Sequence, residues 1–278
     1  MPMSRPTPRA SRELTYATTV SGGRIGYGYV YPDFEARISY KTPNMNGFQA
    51  EVGMYDPIEQ ALNGAGTGFN TNANVETDTP RFEGELTYAS TFSGGSFNAW
   101  ADFLWQNSQF NNRGGAPAAL QGQDWDSYGA GVGGQIAASG FEATGYYYTG
   151  QNLMNAANGL KGFAPGFNLA STSLVDIDQD GWYAQGTYTF NGKTKVGFSY
   201  GESNQDSDAS ARQSATAGML VQDVSREMWT IGVYHDVNSW LKLIAEYSDI
   251  NNENKAPTGV KTADFEASLF SVGAFVFW

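Results

Sequence analysis

Glu35, Glu51, Glu83, Glu85, Asp102, Glu142 and Glu246 share a strand parity with Arg37, Arg81, Lys195, Arg226 and Lys242. Each stands at an even spacing from the polar residues of its own segment, and a β-strand sends alternate side chains to opposite faces. Groups of both signs that face one another across a narrow, water-filled space do no bond chemistry. They set up a field that orients water and sorts solutes by size and charge. Residues two apart, Glu35–Arg37 and Arg81–Glu83, also suit ordinary ion pairs along a wall, which contribute little when exposed.

Residue types for bond chemistry are scarce. His235 is the single histidine, and it sits at a predicted turn, "VYHDVNSW". A base without a nucleophile or an orienting partner makes no catalytic set. The stretch "VDIDQDGW" puts Asp176, Asp178, Asp180 and Gly181 at calcium-loop spacing. The twelfth position of such a loop needs a bidentate Glu, and Thr187 stands there, so calcium is a weak expectation. Glycine runs such as "GAGVGGQ" lack the strand-to-helix context of a phosphate loop and read as places where a strand bends or its polar face is kept clear. No cofactor is expected.

The elements that must position these groups are strands. Eleven segments alternate between apolar and polar positions: 33–41, 48–56, 81–90, 96–107, 126–137, 141–150, 178–190, 194–203, 223–235, 240–250 and 264–278. In "RFEGELTY", Phe82, Leu86 and Tyr88 oppose Arg81, Glu83, Glu85 and Thr87. In "LKLIAEYS", Leu241, Leu243, Ala245 and Tyr247 oppose Lys242, Glu246 and Ser248. Most segments run about ten residues, the length of a tilted strand that crosses a bilayer. The connections alternate short and long. "KTPNMNG", "TFSGG", "ASG", "NGK" and "DVNS" are tight, whereas about 57–80, 108–125, 151–177, 204–222 and 251–263 are long and rich in Asn, Gly, Ser, Ala and Asp. Tight turns on one edge and long loops on the other are expected of an outer-membrane barrel. Tyr40, Tyr88, Trp105, Tyr128, Trp182, Phe190, Tyr200, Trp229 and Tyr247 lie on the apolar parity near strand ends, where interfacial girdles form. A two-sheet sandwich would need a second apolar face for each of these stripes.

Composition agrees. The 278 residues include 34 Gly, 16 Tyr, 17 Phe and 7 Trp, with no Cys. Mean hydropathy is −0.41, and no run approaches the roughly 18 apolar residues of a membrane helix. Barrels escape that test, because only every second residue meets lipid. A net charge of −12 argues against a nucleic-acid partner. The opening "MPMSRPTPRASREL" carries Arg5, Arg9 and Arg12 among three prolines and does not read as a signal peptide.

Two stretches carry a family resemblance. "ARISYKTPNMNGFQAEVGMYD" resembles the hairpin that follows the pore-constricting third loop of Gram-negative general diffusion porins. The ending "VGAFVFW" resembles their last strand, whose terminal aromatic is read by the barrel-assembly machinery. The resemblance covers about residues 24–278, with Trp278 in place of the usual Phe. It implies an all-β transmembrane antiparallel barrel and passive diffusion of small hydrophilic solutes and ions. It also implies contacts with outer-membrane lipid and lipopolysaccharide, and a homotrimer. Arg37 and Arg81, on the strands nearest that loop, become the basic constriction candidates, and Glu35, Glu51, Glu83, Glu85 and Asp102 the acidic ones. Trp278 and Phe270 become assembly-signal candidates. The family has sixteen strands, so the first strand here matches its sixth, and about five strands and a signal peptide are expected upstream. Residues 1–23 then read as a leader and the remnant of the constriction loop, and 24–278 as a partial barrel domain. A twelfth strand over Arg24–Tyr31, with Ile25, Tyr27, Tyr29 and Tyr31 in phase, is the alternative. The other functional readings are a substrate-specific or adhesive outer-membrane barrel and a soluble carbohydrate-binding β-domain.

Overall fold

A computed structural model describes residues 26–30, 35–58, 75–111, 118–153, 163, 165–168, 172–207, 211–212, 223–255 and 261–277. All regular elements are strands: β1 (Arg37–Lys41), β2 (Phe48–Tyr55), β3 (Val75–Glu76), β4 (Arg81–Phe92), β5 (Gly95–Phe110), β6 (Asp124–Ala138), β7 (Phe141–Gln151), β8 (Gly166–Asn168), β9 (Leu174–Val175), β10 (Ile177–Phe190), β11 (Thr194–Ser207), β12 (Ala211–Arg212), β13 (Asp223–Asp236), β14 (Leu241–Lys255) and β15 (Lys261–Val276).

Eleven of them pair in the order β1-β2-β4-β5-β6-β7-β10-β11-β13-β14-β15, every pair antiparallel, and β3 adds to β5 to make a sheet of 12 strands. This is an up-and-down meander with no crossover. The four short strands β3, β8, β9 and β12 all arise in the long connections, and β12, β8 and β9 form a small sheet of their own. Among the described residues, β1 and β15 do not pair with each other. The sheet nevertheless curls, because a single hollow of about 870 Å³ is lined from Arg37 on β1 to Met228 on β13.

The tight edge is built from turns that need a left-handed residue. Gly47, Gly94, Gly140 and Gly192 have φ of 97°, 85°, 86° and 65°. Asn46, Ser139 and Asn191 join three of them at positive φ, the signature of a two-residue hairpin loop that matches strand twist.

The parity predicted from sequence fixes the two faces. Ile38, Val52, Leu86, Phe103, Val132, Phe198, Ile231 and Val272 are all at least half exposed on the convex side. A water-soluble domain does not display that much contiguous apolar surface. On the other side lie Arg81, Gln106, Ser127, Gln179, Ser203, Arg226 and Ser248, all buried. Small apolar clusters, Val75–Phe110–Leu120–Trp125 and Ile58–Tyr148–Leu153–Phe163, sit where long connections fold back on this inner face.

Two expectations change. Several strands outrun their predicted ends toward the long loops: β5 reaches Phe110, β11 Ser207 and β14 Lys255. Past the lipid band the outward positions become Asn107, Asn204, Asp206, Asn251 and Glu253, so alternation fades while the hydrogen-bond ladder continues. And Gly26–Val30, the described part of the possible twelfth strand, is not a strand: it is bent and lies on the inner face of β10, β11 and β13.

Candidate functional site

The inner face near mid-height carries a row of acids set by strand register. Glu51 on β2 lies directly opposite Glu85 on β4, and Glu85 directly opposite Asp102 on β5. Lys41 closes the row on β1, with its Nζ 3.9 Å from Glu51. Directly opposed like charges on a sheet repel, so this row holds stored electrostatic potential that water or a cation relieves. Among the described residues no cation pairs with Glu85 or Asp102.

One step toward the long loops is a basic centre of different character. Arg81 is 1% exposed. Its Nη1 lies 2.5 Å from Glu35 and its Nε donates to Glu83 at 2.6 Å. The Tyr55 and Phe163 rings stack over it at 5.2 and 5.5 Å. The structure therefore differs from the expectation of a free wall cation. Arg81 is paired with two carboxylates and capped by aromatic rings, so its positive charge does not reach the hollow and the centre carries one net negative charge. Arg37 stays exposed beside it, donating to the Tyr55 hydroxyl at 3.3 Å.

Sequence reasoning missed the aromatic floor of the hollow. Gly129, Gly131 and Gly133 are consecutive inward positions of β6, which runs between β5 and β7. A Cβ at Gly131 would meet the Tyr146 hydroxyl and the Asp102 carboxylate; one at Gly133 would meet the Trp100 ring. The bare backbone of β6 thus forms a trough into which neighbouring rings lie down. Trp100 and Tyr146 are nearly parallel, 17° apart with centroids 6.4 Å apart, and Tyr183 continues the floor 5.8 Å from Tyr146. Tyr146 donates to Asp102 Oδ1 at 2.9 Å. The signal available was "YGAGVGGQ", glycine at three alternate positions beside strands with inward aromatics.

Wall side chains also hold the backbone of inward-folded segments. Ser203 accepts from the Gly28 amide at 2.8 Å and donates to the Gly26 carbonyl at 3.0 Å. Gln106 accepts from the Ile58 amide at 2.9 Å and donates to its carbonyl at 2.8 Å. Gln179 accepts from the Leu153 amide at 2.5 Å. Arg226 lies under Tyr27, 4.6 Å from the ring centroid, so this inward cation too is covered.

The remaining candidates scatter. Lys195 and Lys242 line a second, smaller hollow of about 240 Å³ near the tight-turn edge, where Lys242 is 3.4 Å from Asp236. Glu142, on the inner parity of β7, lies opposite Thr187, and Glu246 accepts from the Tyr234 hydroxyl at 2.6 Å. His235 Nδ1 lies 2.9 Å from the Thr194 hydroxyl. The calcium expectation fails on geometry. Asp178 and Asp180 alternate along extended β10, with Asp176 just before it. They run along an extended strand and not around the folded loop that the calcium spacing requires. Asp176 instead accepts from Asn152 and Asp178 from Gln151, each at 2.9 Å. No metal-competent cluster occurs among the described residues. Phe270 points outward from β15, 68% exposed; Trp278 lies outside the described residues.

Solved outer-membrane proteins share this architecture. The chain superposes on the outer membrane channel DcaP of Acinetobacter baumannii with a TM-score of 0.60 at 14% identity, covering 90% of this chain and 69% of that one. It superposes on an anion-selective porin from Comamonas acidovorans with a TM-score of 0.50 at 16% identity, covering 86% and 57%. No curated protein matches by sequence. The family description "Gram-negative porin", however, matches residues 10–255. With its polar-faced inner wall and its lipid-ready outer stripe, the chain belongs to the Gram-negative porin family, as a wall of a passive outer-membrane diffusion channel.

Proposed function

We propose that residues 24–278, with strands covering the free edges of β1 and β15, enclose a water-filled pore for small hydrophilic solutes and ions. The observation that carries this is the division of faces. Exposed apolar residues on the convex side oppose a hollow of about 870 Å³ lined by Arg37, Glu51, Glu85 and Asp102. Unpaired strand edges in lipid cost several kcal/mol per orphaned group, so both edges need partners in the membrane. Residues 1–23 fall to a leader and the tail of the constriction loop. Glu51, Glu85, Asp102 and Arg37 set the field at the constriction, while Glu35 and Glu83 serve Arg81. A homotrimer and contacts with lipopolysaccharide are the family's arrangement. Phe270 and Trp278 form the assembly signal and interface anchor.

The reading is tested by refolding the chain, together with the strands that complete its wall, into detergent and fusing it into planar bilayers. Stepwise ohmic conductance is expected. A chain that stays monodisperse in buffer without detergent, and gives no steps, overturns it. Trp278→Asp is expected to lower the heat-modifiable, membrane-inserted fraction, and Trp278→Phe to leave it nearly unchanged. An Asp variant that inserts as well as the parent would remove the assembly role.

A further inference from the structure

We infer that the acidic row and the aromatic floor beside it form a subsite for organic cations that carry a flat ring. The inference rests on the inner face being the water-filled side.

Three features converge on one place. The glycine trough of β6 makes Trp100, Tyr146 and Tyr183 lie against the wall rather than project from it, and all three line the hollow. Trp100 and Tyr146 lie 17° from parallel, and Tyr183, tilted 35° from Tyr146, extends the surface. Ring faces carry negative electrostatic potential, which favours cations and disfavours anions. Directly beside this floor stand Asp102 and, opposite it in register, Glu85. The Tyr146 hydroxyl holds one oxygen of Asp102 at 2.9 Å, which fixes the carboxylate at the border between floor and acidic row. A planar aryl body on the floor therefore places a cationic head against Asp102 and Glu85.

A neutral sugar would stack on the floor and hydrogen-bond to the acids, but would leave their like-charge repulsion unrelieved. A small inorganic cation would use the acids and ignore the floor. An aryl anion would meet repulsion from both. The combination selects the remaining class, aryl amidinium or aryl ammonium ions.

The test uses the full chain, together with the strands that complete its wall, refolded in detergent micelles and three probes matched in pairs. Benzamidinium and acetamidinium share a head group and differ by the ring. Benzamidinium and benzoate share the ring and differ in charge. Titration calorimetry at constant ionic strength is expected to show saturable benzamidinium binding, acetamidinium about fivefold weaker or more, and no benzoate binding, since stacking of the aryl ring on the floor contributes about 1 kcal/mol. Glu85→Gln removes an exposed charge and is expected to weaken benzamidinium about threefold or more while leaving folding untouched. Trp100→Leu is expected to bring benzamidinium down to the acetamidinium level. Equal binding of benzamidinium and acetamidinium, or a parent-like affinity in both variants, overturns the inference. Bilayer conductance is recorded on the same preparations. Binding without conductance steps would remove the channel reading and leave the subsite standing. Steps without ring-dependent binding would do the reverse.

Discussion

At the scale of single residues, Arg81 shows how context rather than type decides a role. Arg37 and Arg81 share parity on the two strands that flank β2, and nothing in "EARISY" or "RFEGEL" separates them. The separation comes from Phe163, which lies far along the chain and folds over Arg81. Buried ion pairs are costly to break, because the survivor is left charged and dry. Arg81→Met, which leaves Glu35 and Glu83 unpaired, is expected to destabilise the folded chain by about 3–5 kcal/mol. Arg37→Met, at an exposed site, should cost under about 1 kcal/mol. Urea unfolding in micelles, followed by heat-modifiable migration, measures both. Adding Glu35→Gln and Glu83→Gln to Arg81→Met should recover most of the loss. Equal effects of Arg81→Met and Arg37→Met would show that Arg81 is as hydrated as its neighbour.

At the scale of elements, the eleven wall strands were legible because lipid on one side and water on the other impose a strict alternation, as in "FEARISY" and "LKLIAEYS". Their long-loop ends were not, since Asn204 and Asp206 face no lipid. The inward segments were least legible. Gly26–Val30 carries in-phase tyrosines that mimic a strand, yet Arg226 Nη1 reaches its Gly26 carbonyl at 3.5 Å and the Ser203 side chain holds its backbone by two hydrogen bonds. Ser203→Ala removes both of those bonds and leaves the ladder of β11 intact, so faster hydrogen exchange at Gly28 is expected with no change at Gly201. Unchanged exchange at Gly28 would mean that packing under Tyr27, not Ser203, holds the segment. The turns differ in a way that φ alone hides. Gly47 and Gly94 are both left-handed, but a Cβ at Gly47 would strike the Ala89 carbonyl, whereas one at Gly94 meets nothing within 4 Å. Gly94→Ala should cost about 1 kcal/mol, the ordinary left-handed penalty, and Gly47→Ala clearly more, read from the same urea transition. Equal costs would mean that the β2–β4 edge yields freely.

At the scale of the whole molecule, fold likeness and charge part company. The likeness to an anion-selective porin, at 16% identity, concerns backbone only, and the inner face here has the opposite bias. Its inward cations are unequal: Arg81 and Arg226 are covered, Lys242 leans on Asp236 near the tight turns, and Lys195 lines the smaller hollow there. That leaves Glu51, Glu85 and Asp102, with the surplus carboxylate of the Arg81 centre, against Arg37 and Lys41. A unit charge about 8 Å from a hydrated ion contributes about 0.5 kcal/mol in water, a factor of about two in local concentration. One uncompensated carboxylate therefore gives a weak preference, and two give a preference of about fourfold. A bilayer bearing the refolded chain with its completing strands between unequal KCl solutions is expected to show a reversal potential that favours potassium. Glu85→Gln with Asp102→Asn should carry it most of the way to zero, and raising the salt toward 1 M should shrink it, because the Debye length falls to about 3 Å. A potential that favours chloride in the parent would mean that bases on the strands completing the wall outweigh this acidic row. A cation preference that survives the double substitution would place the selecting charges away from the β4–β5 pair, and the mid-height row would then be a feature of the wall rather than of the pore.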